Sequence, residues 1–340
     1  MILKLFSGIA LTVLVITCNA QTIIGRGEEP QMTLNPQNVV RLVYGNGDSI
    51  CYAMSTDRGK TFSASTLVAE IPEMHLGMSR GPQIASSKDY SVITAIDKKG
   101  NIHTFRLTHK TSQWEKLGNI NDSGRSAPEG LMSLAADKNN NFFAVWLDLR
   151  ENHQNNICFS VLKQGKYWSK NKFVYKSPDG HVCECCKPSI VVNDTRVSIM
   201  FRNWLMGSRD LYIISSTDNG NKFSECTKLG SGTWHLNGCP MDGGGLTIDT
   251  ENIIHTAWQR EGNVYSCKPG KPEEKIGEGR DVGMSGTLVH WEEGSELFIK
   301  NGQQDPQKIG DGISLNVLHM ADGTIIAAWE NERRIMIRQL

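Results

Sequence analysis

The chain has 340 residues, enough to bury a substantial core as one large all-β domain or two smaller ones. Lysines plus arginines and aspartates plus glutamates both number 36, so the formal net charge is zero, and no basic run stands out. That balance offers nothing to nucleic acid or to an anionic membrane surface, although a local charged pocket fits within it.

Residues 1–20 read as an export signal. Lys4 supplies a positive start, and Leu5 to Thr17 is apolar, with only small polar residues inside it. The stretch is too short to span a bilayer comfortably and suits the apolar core of a signal peptide. Two ends are open. Cleavage after Ala20 releases a soluble protein starting at Gln21; alternatively V-I-T-C, ending at Cys18, loosely resembles a lipobox and leaves a lipid anchor on Cys18. The expected location is therefore periplasmic, extracellular or lipid-anchored at a membrane surface. No transmembrane segment is expected in the mature chain.

From Val39 onward, apolar runs of strand length recur at a period near fifty residues. They are Val39–Gly45, Tyr90–Asp97, Asn141–Arg150, Arg196–Trp204, Ile253–Arg260, Thr287–Gly294 and Thr324–Asn331. A Pro- or Gly-containing segment with a short apolar stretch usually precedes each run, and a second strand such as N-I-C-F-S-V-L follows it. No convincing amphipathic helix of ten residues lies outside the signal. Short strands, Gly/Asn turns and a long repeat predict radial repetition, a single β-propeller of four-stranded blades over 21–340. The repeat counts seven units, with six as the alternative because the last two are degenerate. The final unit lacks a fourth strand of its own, and Gln21–Gly25 is placed to supply it.

Two octets punctuate the repeat: S-T-D-R-G-K-T-F at Ser55–Phe62 and S-T-D-N-G-N-K-F at Ser216–Phe223. The aspartates Asp57 and Asp218 can accept N–H groups across a tight turn, Gly59 and Gly220 permit φ > 0, and Phe62 and Phe223 pack beside a sheet. Both octets resemble the Asp-box of the sialidase superfamily. The resemblance implies a BNR-type propeller, with these octets on hairpins joining the two outer strands, away from the central funnel. Their role is therefore read as structural: turn chemistry accounts for Ser55, Asp57, Gly59, Phe62, Ser216, Asp218, Gly220 and Phe223.

Function is expected at the funnel face, where loops lead into each innermost strand and join the second strand to the third. The most distinctive loop carries Cys183-Glu184-Cys185-Cys186, and Cys239 occupies nearly the same position one repeat later. Two readings stand. One is a disulfide between neighbouring blades, with Cys186–Cys239 as the suggested pair. The other is a thiolate site for copper or zinc, with His75 among the further ligands. Of the remaining cysteines, Cys51, Cys158 and Cys267 lie in apolar strands, and Cys226 follows the second octet on the opposite face.

Arg80, Arg150, Arg202, Arg209, Arg260 and Arg280 also fall on funnel loops. Such a cluster can bind a carboxylate bidentately, or its members can pair with neighbouring acids. Asp148, Glu129 and Asp242 are the candidate carboxylates for acid–base work on a glycosidic bond. The sialidase resemblance implies an arginine cluster, a Tyr/Glu nucleophile pair and an aspartate acid/base. This chain departs from that set: Arg26–Pro30 reads R-G-E-E-P where the family has R-I-P, and its last tyrosine, Tyr265, lies in a strand. With M-S-R-G-P-Q, C-E-C-C, R-D-L-Y and G-C-P-M-D-G-G-G, the chain looks more like uncharacterised exported sialidase-like propellers with a C-x-C-C motif. Three functions are carried forward: a protein binding or hydrolysing an acidic glycan or other small ligand, a metal or redox propeller, and a non-catalytic interaction propeller.

Overall fold

The computed structural model describes residues 21–249 and 251–340. It is all-β, with seven antiparallel sheets whose innermost strands touch in a closed ring. Blades 1 and 2 have the strands Glu28–Leu34, Val40–Asn46, Ser49–Ser55, Thr66–Glu70, and Gln83–Ser86, Tyr90–Ile96, Ile102–Thr108, Gln113–Asn119. Blade 3 runs Met132–Ala136, Phe142–Asp148 and Asn156–Lys163, and its outer edge is split into Tyr167–Trp168 and Lys172–Tyr175. Blade 4 is Ser189–Asn193, Arg196–Arg202, Leu211–Ser216 and Thr227–Lys228; blade 5 is Gly245–Ile248, Ile254–Arg260, Asn263–Cys267 and Glu274–Glu278.

Blade 6 is Arg280–Ser285, Leu288–Glu293, Glu296–Asn301 and Gln307–Asp311. Blade 7 has Ile313–His319, Ile325–Asn331 and Arg334–Gln339, and the N-terminal strand Thr22–Arg26 pairs with the last of these to close the ring. The expected closing strand is thus in place, and the count is seven. The calls on residues 1–20, including Cys18, lie outside the described residues.

The second strand of each blade is sandwiched between its neighbours, which is why it reads as a continuous apolar run rather than an alternating one. In blade 3, Phe142–Asp148 is buried at every position. Trp146, Trp258, Trp291 and Trp329 sit on these strands at 2% exposure or less. Each removes an area worth about 5 kcal/mol of apolar burial.

The two octets form the same closed hairpin between the third and fourth strands of blades 1 and 4. The Ser55 hydroxyl donates to Asp57 Oδ1 (2.7 Å) and accepts the Gly59 N–H (2.8 Å), while Asp57 accepts the Thr61 N–H (2.9 Å). Ser216, Asp218, Gly220 and Lys222 repeat those bonds at 2.7, 2.9 and 2.9 Å. Gly59 and Gly220 have φ of 82° and 79°, where a side chain would be strained. The Thr61 hydroxyl and N–H, with Ser55, pull the Asp57 carboxyl down to about 2. Phe62 packs on the core shared by blades 1 and 7, and Phe223 meets Phe159 edge-on at 5.4 Å.

Candidate functional site

Three blades open with the same irregularity. The pairing of first and second strands slips between Glu28 and Gln31, between Arg280 and Gly283, and between Ile313 and Asn316. Inside each slip one residue has left-handed backbone: Glu29 at φ 55°, Asp281 at 52° and Ser314 at 56°. A bulge of this kind re-aims a side chain. Each left-handed non-glycine residue costs on the order of 1 kcal/mol or more, and such strain clusters at functional positions. Residues 28–30 and 280–285 are therefore bulged strand rather than loops leading into the innermost strands, because backbone pairing resumes on both sides of the slip.

These bulges edge an axial cavity of about 500 Å³ that touches the innermost strand of every blade. Its wall carries four carboxyl side chains, Glu29, Asp242, Asp281 and Glu292, beside Lys187, Arg280 and His290. Among the described residues, no phenylalanine, tyrosine or tryptophan lines it. Glu29 is 5% exposed; burial pushes its carboxyl up to about 7, against the pull of Lys187 and of the Ser79 N–H, which donates to Oε1 at 3.0 Å. Burial raises Glu292 further, to about 8, with Asp281 and Glu29 adding to it and the Leu315 and Ser314 N–H groups opposing.

Asp242 is buried and held up at about 6, although it accepts N–H groups from Asp281 (2.8 Å) and Gly244 (3.2 Å). Asp281 is raised by burial too, restrained by Arg280, whose Nε lies 2.7 Å from its carboxylate. Burial lowers Lys187 to about 8, and its Nζ donates to Gln83 Oε1 at 2.8 Å. His290 is driven down to about 4 by burial, so its ring is neutral at physiological pH. One cavity therefore holds carboxyl groups spread across the neutral range, the condition under which one serves as an acid and a neighbour as a base.

At the rim, the loops leading into blades 4 and 5 are joined by a disulfide between Cys185 and Cys239, with Cα atoms 6.2 Å apart. The suggested Cys186–Cys239 pairing is corrected: Cys186 is 1% exposed and points inward, where its sulfur lies 2.7 Å from that of Cys183 and accepts the Asp242 N–H. The sulfurs of Cys183, Cys185 and Cys186 converge within 4.8 Å of one another, but Cys185 is committed to the disulfide, so the cluster offers two free thiols rather than a three-thiolate metal site. His75 is not among them; its Nε2 meets the Pro128 carbonyl at 2.7 Å.

The predicted carboxylates are not brought together. Asp242 lines the cavity, whereas Asp148 is fully buried in blade 3, gripped by Arg150 (2.8 and 2.7 Å), the Trp146 indole N–H and Ser126. Glu129 lies outside the cavity lining, its carboxyl raised by burial. The arginines are dispersed as well. Arg80 donates to the Glu129 carbonyl (2.6 Å), Arg209 to Cys183 Sγ (3.1 Å), and Arg260 pairs with Glu273 (3.0 Å). Arg202, 1% exposed, lies beneath the floor and donates to the carbonyls of Asp242, Arg209 and Gln259 at 3.0, 2.8 and 2.9 Å. Of the six, Arg280 alone lines the cavity.

Glu29, Lys187, Asp281, His290 and Glu292 were missed by sequence reasoning. Two signals bore on them. Gly27-Glu28-Glu29 and Gly279-Arg280-Asp281 repeat a glycine two residues ahead of an acid, and Trp291-Glu292 aligns with Trp258-Gln259 and Trp329-Glu330 on second strands. The residue after a buried tryptophan faces the other side of its sheet, so an acid there pointed to a polar interior.

No known protein family matches the chain, and no curated protein is similar to it in sequence. Solved structures are similar to it in fold. One is an ulvan lyase of family PL25 bound to -[GlcA(1-4)Rha3S]-, with 9% identity, a TM-score of 0.59, and coverage of 94% of this chain and 95% of that one. YCF48 bound to D1 peptide gives 12%, 0.57, and 94% of both chains; the Hadza microbial sialidase Hz136 gives 10%, 0.52, and 92% of this chain and 65% of that one. Like these structures, the chain folds as a seven-bladed β-propeller. At such identities the likeness carries the fold, and function has to come from the cavity.

Proposed function

We propose that this propeller is an exported, glycan-active protein that binds a sugar in its axial cavity and cleaves a glycosidic bond there. The observation that carries the reading is the set of four carboxyl groups in one cavity of about 500 Å³, all raised by burial, with Asp242 at about 6, Glu29 at about 7 and Glu292 at about 8. Glu292 keeps its proton at neutral pH and is assigned as the general acid. Asp242, the more readily ionised, is assigned as base or nucleophile, its charge supported by the Asp281 N–H. Ser79, Gln83, Lys187 and Asn316 supply polar contacts in place of ring stacking. A lyase and a sialidase, by their names, place glycan chemistry on this fold.

Within this reading, the preferred substrate shifts from an acidic sugar to a neutral one, because among the described residues the cavity wall holds no arginine cluster for a sugar carboxylate. Four lining carboxyls face Lys187 and Arg280, and the arginines expected to hold a sugar carboxylate are engaged elsewhere. The test is a panel of neutral glycosides, sialosides and uronic-acid oligosaccharides. Turnover of a neutral member, reduced at least about 100-fold in both Glu292→Gln and Asp242→Asn, supports the proposal. Turnover confined to acidic members restores the acidic-glycan reading. No turnover and no sugar binding, with a peptide bound instead, refutes glycan activity in favour of an interaction propeller. Export is tested by N-terminal sequencing from the native host: Gln21 means a soluble product, a lipidated Cys18 means an anchor, and an intact Met1 rules export out.

A further inference from the structure

The cysteines at the funnel rim form a second centre, independent of what the cavity binds. Cys183 and Cys186 stand in C-x-x-C spacing on one turn, where the Cys183 N–H donates to the Arg202 carbonyl (3.0 Å) and the Cys186 N–H to the Cys183 carbonyl (3.4 Å). Their side chains are 0% and 1% exposed. The Cys183 sulfur is 2.7 Å from that of Cys186 and 3.8 Å from that of Cys185, which is bonded to Cys239. Cys239 is exposed. A buried dithiol therefore abuts one sulfur of a disulfide whose other half-cystine, Cys239, is an exposed residue.

The surroundings divide the dithiol into unequal partners. Arg209 donates to Cys183 Sγ at 3.1 Å and is fixed by stacking over Trp204 at 4.7 Å and by Glu184 at 3.3 Å. Burial disfavours the Cys183 thiolate, but the Cys186 thiol and the Arg202 and Arg209 guanidiniums outweigh it and bring the group to about 7. Burial and the neighbouring Cys183 push Cys186 well above the usual thiol range. One sulfur is the attacking thiolate and the other a protonated resolving thiol.

We propose that these four cysteines are a thiol–disulfide exchange centre, in which the Cys183/Cys186 dithiol trades two electrons with the Cys185–Cys239 clasp between blades 4 and 5. The Cys183 thiolate attacks Cys185 Sγ; the Cys183–Cys185 bond forms as the Cys185–Cys239 bond breaks, and Cys239 leaves as a thiolate. Cys186 gives its proton to the departing Cys239 and attacks Cys183 Sγ, which releases Cys185 as a thiolate. Cys183–Cys186 is then oxidised, Cys185 and Cys239 are reduced, and no outside oxidant is consumed. The exposed Cys239 is the point where a small thiol or disulfide exchanges with the centre. Lys187 adjoins Cys186, and Asp242 lies three residues beyond Cys239, so the clasp sits beside two parts of the cavity wall.

The test is acid-quenched differential alkylation of the full chain, purified without chelator, across a glutathione redox series, with disulfides mapped by peptide mass spectrometry and metals by elemental analysis. The expected result is two interconverting isomers, Cys185–Cys239 and Cys183–Cys186, each with two free thiols among the four. Cys183→Ser should abolish the internal exchange, so that the clasp opens only by direct attack of glutathione at Cys239, and Cys186→Ser should stop at Cys183–Cys185 with Cys239 free. Arg209→Met should slow exchange at pH 7 by about tenfold and move its pH midpoint upward, with the circular dichroism spectrum unchanged. A Cys185–Cys239 bond that never exchanges overturns the proposal. So do two fixed disulfides, or a stoichiometric zinc or copper ion bound by the thiols.

Discussion

Replacing Glu292 with glutamine should flatten the dependence of stability on pH above neutrality. Glu292 is 4% exposed, and burial holds its carboxyl at about 8 against an ordinary 4.5. Because the folded-state pKa is raised, the folded protein binds a proton that the unfolded chain has released, and this stabilisation disappears as pH climbs through 8. Between pH 6.5 and 9 the loss comes to about 2 kcal/mol, at roughly 1.4 kcal/mol for each pH unit over which the bound protons differ. Glutamine matches the shape and keeps an oxygen for the Leu315 N–H, which donates to Glu292 Oε1 at 3.1 Å, so no void opens. The other shifted groups, Glu29, Glu330, Lys187 and His290, titrate in both proteins and largely cancel in the comparison. Urea denaturation of both proteins at several pH values across that window reads the effect: Glu292→Gln should gain about 2 kcal/mol relative to the parent on going from pH 6.5 to 9. Parallel curves, or a glutamine variant that weakens relative to the parent as pH rises, would refute the assignment of a buried, protonated Glu292.

Gly243→Ala should destabilise the junction of blades 4 and 5 by about 1–3 kcal/mol, visible as a lower Tm. The cause is a Cβ 1.8 Å from the Lys187 backbone carbonyl, a contact that rotating a side chain cannot relieve. Arg202→Met should cost about 3–5 kcal/mol in urea denaturation, since it strips the donors from three carbonyls beneath the cavity; a cost below about 1 kcal/mol would mean those carbonyls find other partners. Deleting residues 21–26 removes the outer strand of blade 7 and bares Arg334–Gln339 as an open edge. Self-association in size-exclusion chromatography and a lower Tm are expected, while a monomer of unchanged Tm would show the closure to be dispensable.

The wheel was legible in the chain because its causes are local. A second strand covered by neighbours on both faces must be apolar throughout, as Phe142–Asp148 is, and a tight outer hairpin needs Ser, Asp and Gly at fixed spacing, as in Ser55–Gly59. The closing role of the N-terminal strand was legible for the same reason, since the last repeat came up one strand short. The candidate site was half legible. Asp242, Arg280 and the cysteine loop were picked out by their residue types, while Asp148 and five of the six arginines proved to be bound up in the walls. Nothing in an isolated loop shows whether a guanidinium faces a cavity or a backbone carbonyl.

The sequence by itself determined the all-β propeller, its repeat near fifty residues and the crowding of unusual residues at the funnel. Period, turn chemistry and apolar runs are properties of short segments and survive without knowledge of what lies beside them. Only the tertiary structure decided which sulfur joins Cys239, and which carboxyls share a cavity. Cys185 and Cys186 are neighbours in the chain yet face opposite environments, one toward the next blade and the other toward Cys183. Glu29, Asp242 and the Asp281/Glu292 pair come from three widely spaced segments, and their altered proton affinities arise from lost solvent and mutual proximity, which exist only once the ring has closed.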